Sequence, residues 1–189
     1  DQRHLKGKNA IIYYHYNKCI AHFLKNEIST INQEGSFKIL DLEKEYTVEN
    51  EIEINKEKQT LKLKGVIDRI DSTSNGIRLI DYKSGLVQPQ ELVINSIDQI
   101  EKKSKALQLL FYSLLFVKNH NSSDPIMGQI ISIKNTHQNT LDLRVNKQDY
   151  ISLDHISKFE NWLKELIIQI NDPSMVFKHN SESKYCEWC

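Results

Sequence analysis

The sequence lacks several features that would place it in a specialised class of protein. It has only three cysteines in 189 residues, and this odd, small number argues against a secreted disulfide framework and for a reducing cytoplasm. No apolar run approaches the length of a membrane span, and there is no secretory signal. Internal repeats and low-complexity tracts are also missing. The expectation is therefore a globular, cytoplasmic protein without a membrane partner.

An excess of positive charge is missing as well. The 25 basic residues balance the 25 acidic ones, whereas a free-standing DNA-binding domain is usually basic. This balance argues against tight autonomous binding of nucleic acid. The chain has two local basic clusters: Arg3, Lys6 and Lys8, and Lys102, Lys103 and Lys105. Each is expected to be a solvated face rather than a phosphate track, except that the second leads into the helix of Gln108 and adjoins the candidate site described below.

The composition is that of one ordinary globular domain. Hydrophobic residues make up 39% and charged residues 26% of the chain, and its length allows a substantial core. Residues 1–189 are therefore treated as a single domain. The chain begins at Asp1 rather than Met and ends at Cys189 just as a cysteine motif opens, so we expect a piece of a longer polypeptide.

Residues 63–85 form the stretch around which the chain is organised. Two apolar arms flank Ser72–Gly76, a cluster of turn formers that ends in Asn-Gly, the strongest short hairpin signal. The apolar residues of the arms are Val66, Ile67 and Ile70, then Ile77, Leu79 and Ile80. The sequence therefore predicts two antiparallel strands joined by a tight turn.

Two acids interrupt these apolar arms, Asp68 in the first and Asp81 in the second. The midpoint between them falls between Ser74 and Asn75, so a symmetric hairpin places the two carboxylates opposite or nearly opposite each other on one face. Lys83 projects from that same face because strand side chains alternate. The three charged groups are therefore expected to converge.

Carboxylates held this close repel each other, and burial makes them costly unless a positive charge lies between them. Oxygen ligands suit a hard divalent cation such as Mg²⁺ or Mn²⁺, and two acids with a lysine around a metal form a hydrolytic arrangement. The alternative is an ordinary surface hairpin that carries a salt bridge.

The same residues carry a resemblance to a known family. Residues 65–71 (GVIDRID) and 79–85 (LIDYKSG) resemble the active-site signature of the PD-(D/E)XK nuclease superfamily, specifically its RecB/AddB-like branch. A second block, Gln108 to Tyr112, is similar to the Gln-x-x-x-Tyr motif that this branch carries on the following helix. The resemblance implies an α/β fold with a mixed central β-sheet flanked by helices and a restriction-endonuclease-like core.

The resemblance also implies roles for individual residues. Asp68 and Asp81 would be metal ligands together with the main-chain carbonyl of Tyr82, and Lys83 would position or activate the attacking water. Gln108 and Tyr112 would contact the DNA backbone. From the residues alone, the alternative is that Tyr112 belongs to the apolar stripe of its helix and that Gln108 lies at the solvent-exposed edge of this stripe.

Four other charged residues lie close to the candidate site in the sequence. Glu43 and Glu45 are candidates for an additional acid, with a solvated edge position as the alternative. Arg69 and Asp71 are expected to point away from Asp68 and to pair with each other.

The RecB-like branch also carries a histidine ligand on a helix before the first strand. His22 and, with less support, His15 are the candidates here, but neither follows the Gly-x-x-x-His pattern, and the family's histidine could lie upstream of Asp1. The alternative for each is a structural helical histidine.

A cysteine pair at the end of the chain, Cys186 and Cys189, resembles the start of the iron–sulfur cluster motif of AddB-like nucleases. Such a cluster needs four thiolates and this chain has three, with Cys19 as the distant one. We therefore expect no intact iron–sulfur cluster; a zinc site or a remnant of the motif are the alternatives for the pair.

The remaining elements follow from hydrophobic periodicity and turn signals. Residues 88–103 are expected to be a polar connection with little regular structure, and a charged turn is expected at 55–59. The predicted helices are Asn9–Ile31, Ser104–Asn119 and Asp149–Asn171, and the predicted strands outside the hairpin are Leu40–Val48, Glu51–Ile54, Ile126–Ile133 and Thr140–Val145.

The expected function is a Mg²⁺- or Mn²⁺-dependent deoxyribonuclease of DNA repair or recombination. It is expected to act on DNA ends or single strands as an exonuclease within a larger protein or complex with helicase-like parts. One alternative is a nucleic-acid-binding or structural module that keeps the fold without strong catalysis. A restriction-type endonuclease is a third, which the Gln-x-x-x-Tyr block disfavours.

Overall fold

A long two-stranded hairpin dominates the computed structural model, which describes residues 6–54, 57–135 and 140–176. Strand β1 (Lys38–Ile54) pairs antiparallel with β2 (Glu57–Thr73) along its whole length. Cross-strand ion pairs join acids of β1 to lysines of β2, with Glu45 and Lys64 2.8 Å apart. The expected break within the first strand is absent, and residues 57–59 of the expected turn belong to β2. The prediction of a turn over those residues was therefore wrong.

The hairpin forms one side of a five-stranded mixed sheet in the order β1-β2-β3-β5-β6. Strand β3 (Gly76–Lys83) pairs antiparallel with β2 and parallel with β5 (Ile126–Ser132), and β5 pairs antiparallel with β6 (Thr140–Asp142). Two short strands, β4 (Val93–Ile94) and β7 (Arg144–Val145), form a separate parallel pair. The predicted fold class, a mixed sheet flanked by helices, is confirmed.

Within the described residues, three α-helices accompany the sheet: α1 (Lys8–Glu34), α2 (Ser104–His120) and α3 (Leu153–Ile170). Helix α3 begins four residues later than expected because Ser152 caps it, its hydroxyl accepting a hydrogen bond from the His155 N–H at 3.3 Å. The segment expected to lack regular structure contains two 3₁₀ helices, Pro89–Leu92 and Ile97–Lys102.

The core lies where α2 packs against the sheet. Each leucine buried there stabilises the fold by roughly 1.5–3 kcal/mol. Gly65 allows the close approach of the helix, because a Cβ at that position would lie 2.9 Å from Leu115 Cδ1 and 3.3 Å from Phe111 Cε1. The fully buried residues of α2, β2, β3 and α3 include Leu109, Leu110, Leu114, Leu115, Ile67, Ile70, Leu79 and Phe159.

The turn between β2 and β3 sets the register of the site. Thr73 pairs with Gly76, which leaves Ser74 and Asn75 as a two-residue turn at the predicted midpoint. Gly76 has φ 128°, and a Cβ there would lie 2.2 Å from the carbonyl oxygen of Pro125. Glycine is therefore required by both conformation and space.

In the part of the chain that the structure describes, no helix is both long and apolar enough to cross a membrane. Cys19 is a buried free thiol on α1. Cys186 and Cys189 lie outside the described residues, so the expectation of an incomplete cluster remains a prediction.

Candidate active site

The carboxylates of Asp68 and Asp81 lie at the end of the β2–β3 ladder. The last paired residues are Arg69 and Ile80, so the two acids follow directly beyond them on neighbouring strands. Asp68 Oδ2 accepts a hydrogen bond from the main-chain N–H of Tyr82 at 2.9 Å. This bond continues the connection between the strands after the ladder ends.

The regular alternation of side chains between the two faces of β2 is interrupted at Asp68. Ile67 and Ile70 are both fully buried in the same core although they are three residues apart, which regular alternation would not allow. On β1, Glu43 has φ 48° and sits between the pairs Leu42–Arg69 and Lys44–Ile67, opposite Asp68. An irregularity in both strands therefore frames Asp68, as β-bulges near active sites often do.

Asp81 and Lys83 meet on the side of the sheet that faces α2. Asp81 is 2% exposed, and its Oδ2 lies 2.8 Å from Lys83 Nζ. Strand alternation places both side chains on this face, as the sequence predicted.

Gln108 of α2 joins these two charged groups. Its Nε2 donates to Asp81 Oδ1 at 2.9 Å and to the Tyr112 hydroxyl at 2.7 Å, while its Oε1 accepts from Lys83 Nζ at 2.9 Å. The side chains of Gln108 and Tyr112 are thus directed into the carboxylate–lysine cluster. A DNA contact by these two residues stays a prediction.

The environment opposes ionisation of two of these groups. Burial raises the pKa of Asp81, and the nearby charge of Asp68 adds to this effect, while Lys83 acts in the opposite direction. Burial also raises the pKa of Tyr112, which the two carboxylates reinforce against the hydrogen bond from Gln108. Tyr112 is therefore a neutral phenol at physiological pH.

The donor set fits a hard cation. Asp81 Oδ2 is buried and lies 2.8 Å from Lys83 Nζ, and a carboxylate oxygen has two lone pairs, so a lone pair is left for a cation. Among the described residues, no three His, Cys, Asp or Glu side chains are grouped as a metal site. A cation at the two acids would therefore need main-chain or water oxygens as well, which suits Mg²⁺ or Mn²⁺.

A buried ionic cluster lies on the opposite side of the same strands. Arg69 Nε binds Asp71 Oδ1 at 2.8 Å, as the sequence predicted, and Arg78 Nη2 binds Asp71 Oδ2 at 2.6 Å. Arg69 Nη1 also binds Glu27 of α1 at 2.9 Å and donates to the Tyr82 hydroxyl at 3.2 Å. The contacts with Glu27 and Tyr82 were not anticipated.

The two candidate histidines have partners within α1. His22 Nε2 lies 3.3 Å from Asn26 Nδ2, and His15 Nε2 lies 3.7 Å from Cys19 Sγ. A ligand role for His22 stays a prediction. Glu45 pairs with Lys64, which agrees with a solvated edge position for this residue.

The basic residues before α2 are engaged in local contacts. Lys103 Nζ donates to the carbonyl oxygens of Gln90 and Val93, and Lys105 Nζ lies 2.5 Å from Glu91 Oε1. These contacts favour a structural role over a phosphate track.

Sequence reasoning missed a polar clamp on the loop after Lys83. Asn135 accepts from the Val87 N–H at 3.1 Å and donates to the Val87 carbonyl at 2.8 Å, and Ser132 donates to the Gly85 carbonyl at 2.7 Å. Parallel pairing of β3 with β5 brings Ser132 beside Lys83. Only this long-range pairing reveals the clamp, because no local motif marks it.

Comparison with known proteins gives one informative match. No curated protein matches the chain. A solved structure titled "Crystal structure of SSO0001" has 18% sequence identity and a TM-score of 0.32, covers 82% of this chain, and is itself covered over 60% of its length. This similarity is too low to support a conclusion about fold or function.

The model of the PD-(D/E)XK nuclease superfamily, by contrast, matches residues 13–189. The matched range includes Asp68, Asp81, Lys83 and Gln108. The chain belongs to the PD-(D/E)XK nuclease superfamily.

Proposed function

We propose that this protein is a metal-dependent nuclease that hydrolyses phosphodiester bonds of DNA. The observation that carries the proposal is the convergence of Asp68, Asp81 and Lys83, with Gln108 bonded to both Asp81 and Lys83. Membership of the superfamily supports the reaction class. Two acids and one lysine at a strand end are otherwise common, so the joint arrangement matters more than any one residue.

The family resemblance, together with the contacts of the site, suggests a role for each residue. Asp68 and Asp81 would hold Mg²⁺ or Mn²⁺, with the Tyr82 carbonyl as a further ligand. The metal ion supplies Lewis-acid polarisation of the phosphoryl group and a lowered pKa for a bound water. Lys83 orients the attacking water and stabilises the negative charge that develops on the phosphate.

Gln108 fixes the direction of the Lys83 side chain. A lysine has a flexible four-carbon stem, and its ammonium group loses conformational freedom when two acceptors hold it. Asp81 Oδ2 and Gln108 Oε1 provide these acceptors at 2.8 Å and 2.9 Å. The ammonium group is therefore in position before the substrate binds.

The finer assignment is a RecB/AddB-like nuclease of DNA repair or recombination, acting as an exonuclease on DNA ends or single strands in the cytoplasm. It is supported by the Gly-x-x-Asp-Arg-x-Asp and Gln-x-x-x-Tyr blocks of the sequence. The zero formal net charge fits a domain that relies on helicase-like or DNA-guiding parts for binding.

A second candidate function is a nucleic-acid-binding or structural module with weak or no catalysis. It is favoured by a specific observation: within residues 6–54, 57–135 and 140–176, no histidine joins the two carboxylates in a metal-holding group. The free lone pair on buried Asp81 Oδ2 favours the metal-dependent enzyme instead.

The deciding experiment uses end-labelled single- and double-stranded DNA with and without Mn²⁺. We expect metal-dependent cleavage by the wild type and its loss in Asp81→Ala and Lys83→Ala. Arg144→Ala, which removes an exposed ion pair with Asp149, serves as the control and should cleave normally. Metal-independent DNA binding without cleavage would favour the second candidate. Cleavage at the wild-type rate by either site variant would refute the assignment.

A further inference from the structure

The buried ionic cluster behind the site is not used by the proposed chemistry, yet it contacts the strand that carries Asp81. We propose that Arg69 is a positioning residue: by holding the phenol of Tyr82 on one face of the sheet, it fixes the main chain of Tyr82 and the Asp68 carboxylate on the other. This inference rests on the proposed function, because it assigns Arg69 an effect on metal binding.

The first argument is the way β2 and β3 stay connected beyond their ladder. The ladder ends at the pair Arg69–Ile80. Beyond it, two side-chain hydrogen bonds link the strands, from the Tyr82 N–H to Asp68 Oδ2 at 2.9 Å and from Arg69 Nη1 to the Tyr82 hydroxyl at 3.2 Å. Both bonds converge on Tyr82, one through its main chain and one through its ring.

The second argument is that Arg69 is itself rigidly held. Its side chain is 6% exposed, and its planar fork binds Asp71 Oδ1 through Nε and Glu27 Oε2 through Nη1. The guanidinium also stacks on the Phe37 ring at 4.8 Å. A group held in this way offers a donor with a fixed direction.

The third argument is that Tyr82 needs such support. Tyr82 is 37% exposed. Within the described part of the chain, its phenol accepts the hydrogen bond from Arg69, and its ring contacts Phe23 edge-on with centroids 6.0 Å apart. Loss of the Arg69 bond would therefore leave one side of the ring free to move. Movement of the ring would disturb the peptide whose N–H holds Asp68.

Arg78 offers a matched control for Arg69. It is equally buried, binds the same Asp71 at 2.6 Å and stacks on the same Phe37 ring at 4.8 Å. Its hydrogen bonds within the described residues go to Asp71 and not to Tyr82. If the cluster were purely structural, each arginine variant would affect residue 82 only in proportion to the stability that it loses. Positioning of Tyr82 instead predicts an effect at residue 82 that is specific to Arg69.

The test measures two properties, the hydrogen-exchange rate of the residue-82 amide in metal-free, isotope-labelled protein and the affinity for Mn²⁺ by calorimetry. We expect Arg69→Gln to accelerate exchange and to weaken Mn²⁺ binding, each about tenfold. Arg78→Gln removes one of the two arginines that bind Asp71 and should lower stability, but it should leave both properties within about twofold. Arg69→Lys keeps the charge without the fork and should restore stability but not the protection of the amide.

Arg69→Gln also removes the arginine that binds part-buried Glu27 and one of the two arginines that bind buried Asp71. It could therefore unfold the protein, so Tyr82→Phe provides an independent test. It removes only the hydroxyl and should accelerate exchange and weaken Mn²⁺ binding about threefold while the melting temperature stays within about 2 °C. Equal effects of Arg69→Gln and Arg78→Gln at residue 82, or no effect of Tyr82→Phe, would overturn the inference. Mn²⁺ binding that Asp81→Ala leaves unchanged would instead overturn the proposed function, and the exchange rates would still decide whether Arg69 holds Tyr82.

Discussion

Replacement of Gln108 by alanine distinguishes two roles for this residue. It either positions Asp81 and Lys83 through hydrogen bonds or contacts the DNA backbone. The side chain provides the donor to Asp81 Oδ1 at 2.9 Å, and Asp81 is 2% exposed, so the variant leaves a buried charged acceptor without that bond. An unsatisfied buried acceptor costs about 2 kcal/mol. For a chain of this size the melting temperature should fall by about 4–8 °C.

The same change should lower kcat rather than raise KM. Lys83 loses one of the two acceptors that hold its ammonium group, so its position is less defined when the phosphate reacts. A loss of about tenfold to a hundredfold in kcat, with KM for DNA nearly unchanged, is expected for a group that acts on the reacting centre. Thermal unfolding and Mn²⁺-dependent cleavage of labelled DNA measure the two effects.

Gln129→Ala is the matched control for this variant. Gln129 is a partly buried glutamine on β5 whose Nε2 donates to Asp142 Oδ1 at 2.7 Å, away from the carboxylate pair. Its replacement should leave kcat unchanged. An unchanged melting temperature together with a raised KM in Gln108→Ala would refute the reasoning and support the DNA-backbone contact that the sequence predicts.

Three further predictions follow from single residues. Because burial places the pKa of Asp81 above its ordinary value of 3.8, the folded state binds the proton of this carboxyl more tightly than the unfolded state does. The free energy of unfolding of the metal-free protein should therefore fall as the pH rises above 3.8. Urea titrations should show that Asp81→Asn removes this pH-dependent contribution. Asn135→Ala breaks both hydrogen bonds to Val87 and should cost about 1–2 kcal/mol in denaturant unfolding, whereas an unchanged midpoint would show that the clamp does not bear on stability. Gly76→Ala forces a Cβ against the carbonyl of Pro125 and should cost about 3 kcal/mol or more by the same measurement, and a loss below about 1 kcal/mol would contradict the close approach.

The hairpin of β2 and β3 and its register could be predicted because both depend on local sequence. The Asn-Gly turn and the positions of the two acids define a symmetric pairing, and the structure has Thr73 opposite Gly76 as that symmetry requires. The apolar stripe of α2 was equally clear, and Leu110, Leu114 and Leu115 are fully buried. Local periodicity is sufficient for such elements.

The rest depends on contacts between distant parts of the chain. The inward direction of Gln108 follows from how α2 packs over Gly65, and the clamp formed by Ser132 and Asn135 follows from the parallel pairing of β3 and β5. The irregularity opposite Asp68 arises from Glu43, whose positive φ no local turn signal marks. Periodicity within one segment carries no information about these contacts.

The outer strand β1 has a consequence for how other molecules approach the sheet. It forms one end of the strand order, is 17 residues long and carries six acidic residues against two lysines. A long unpaired edge invites added strands from other chains, but a second copy would bring its own row of acids against this one and be repelled. Phosphates would be repelled in the same way. Ion pairs of Glu45 and Glu49 with lysines of β2 balance part of this charge. We expect the remaining acids to oppose self-association and the approach of a polyanion along this edge, and high salt should weaken both effects together.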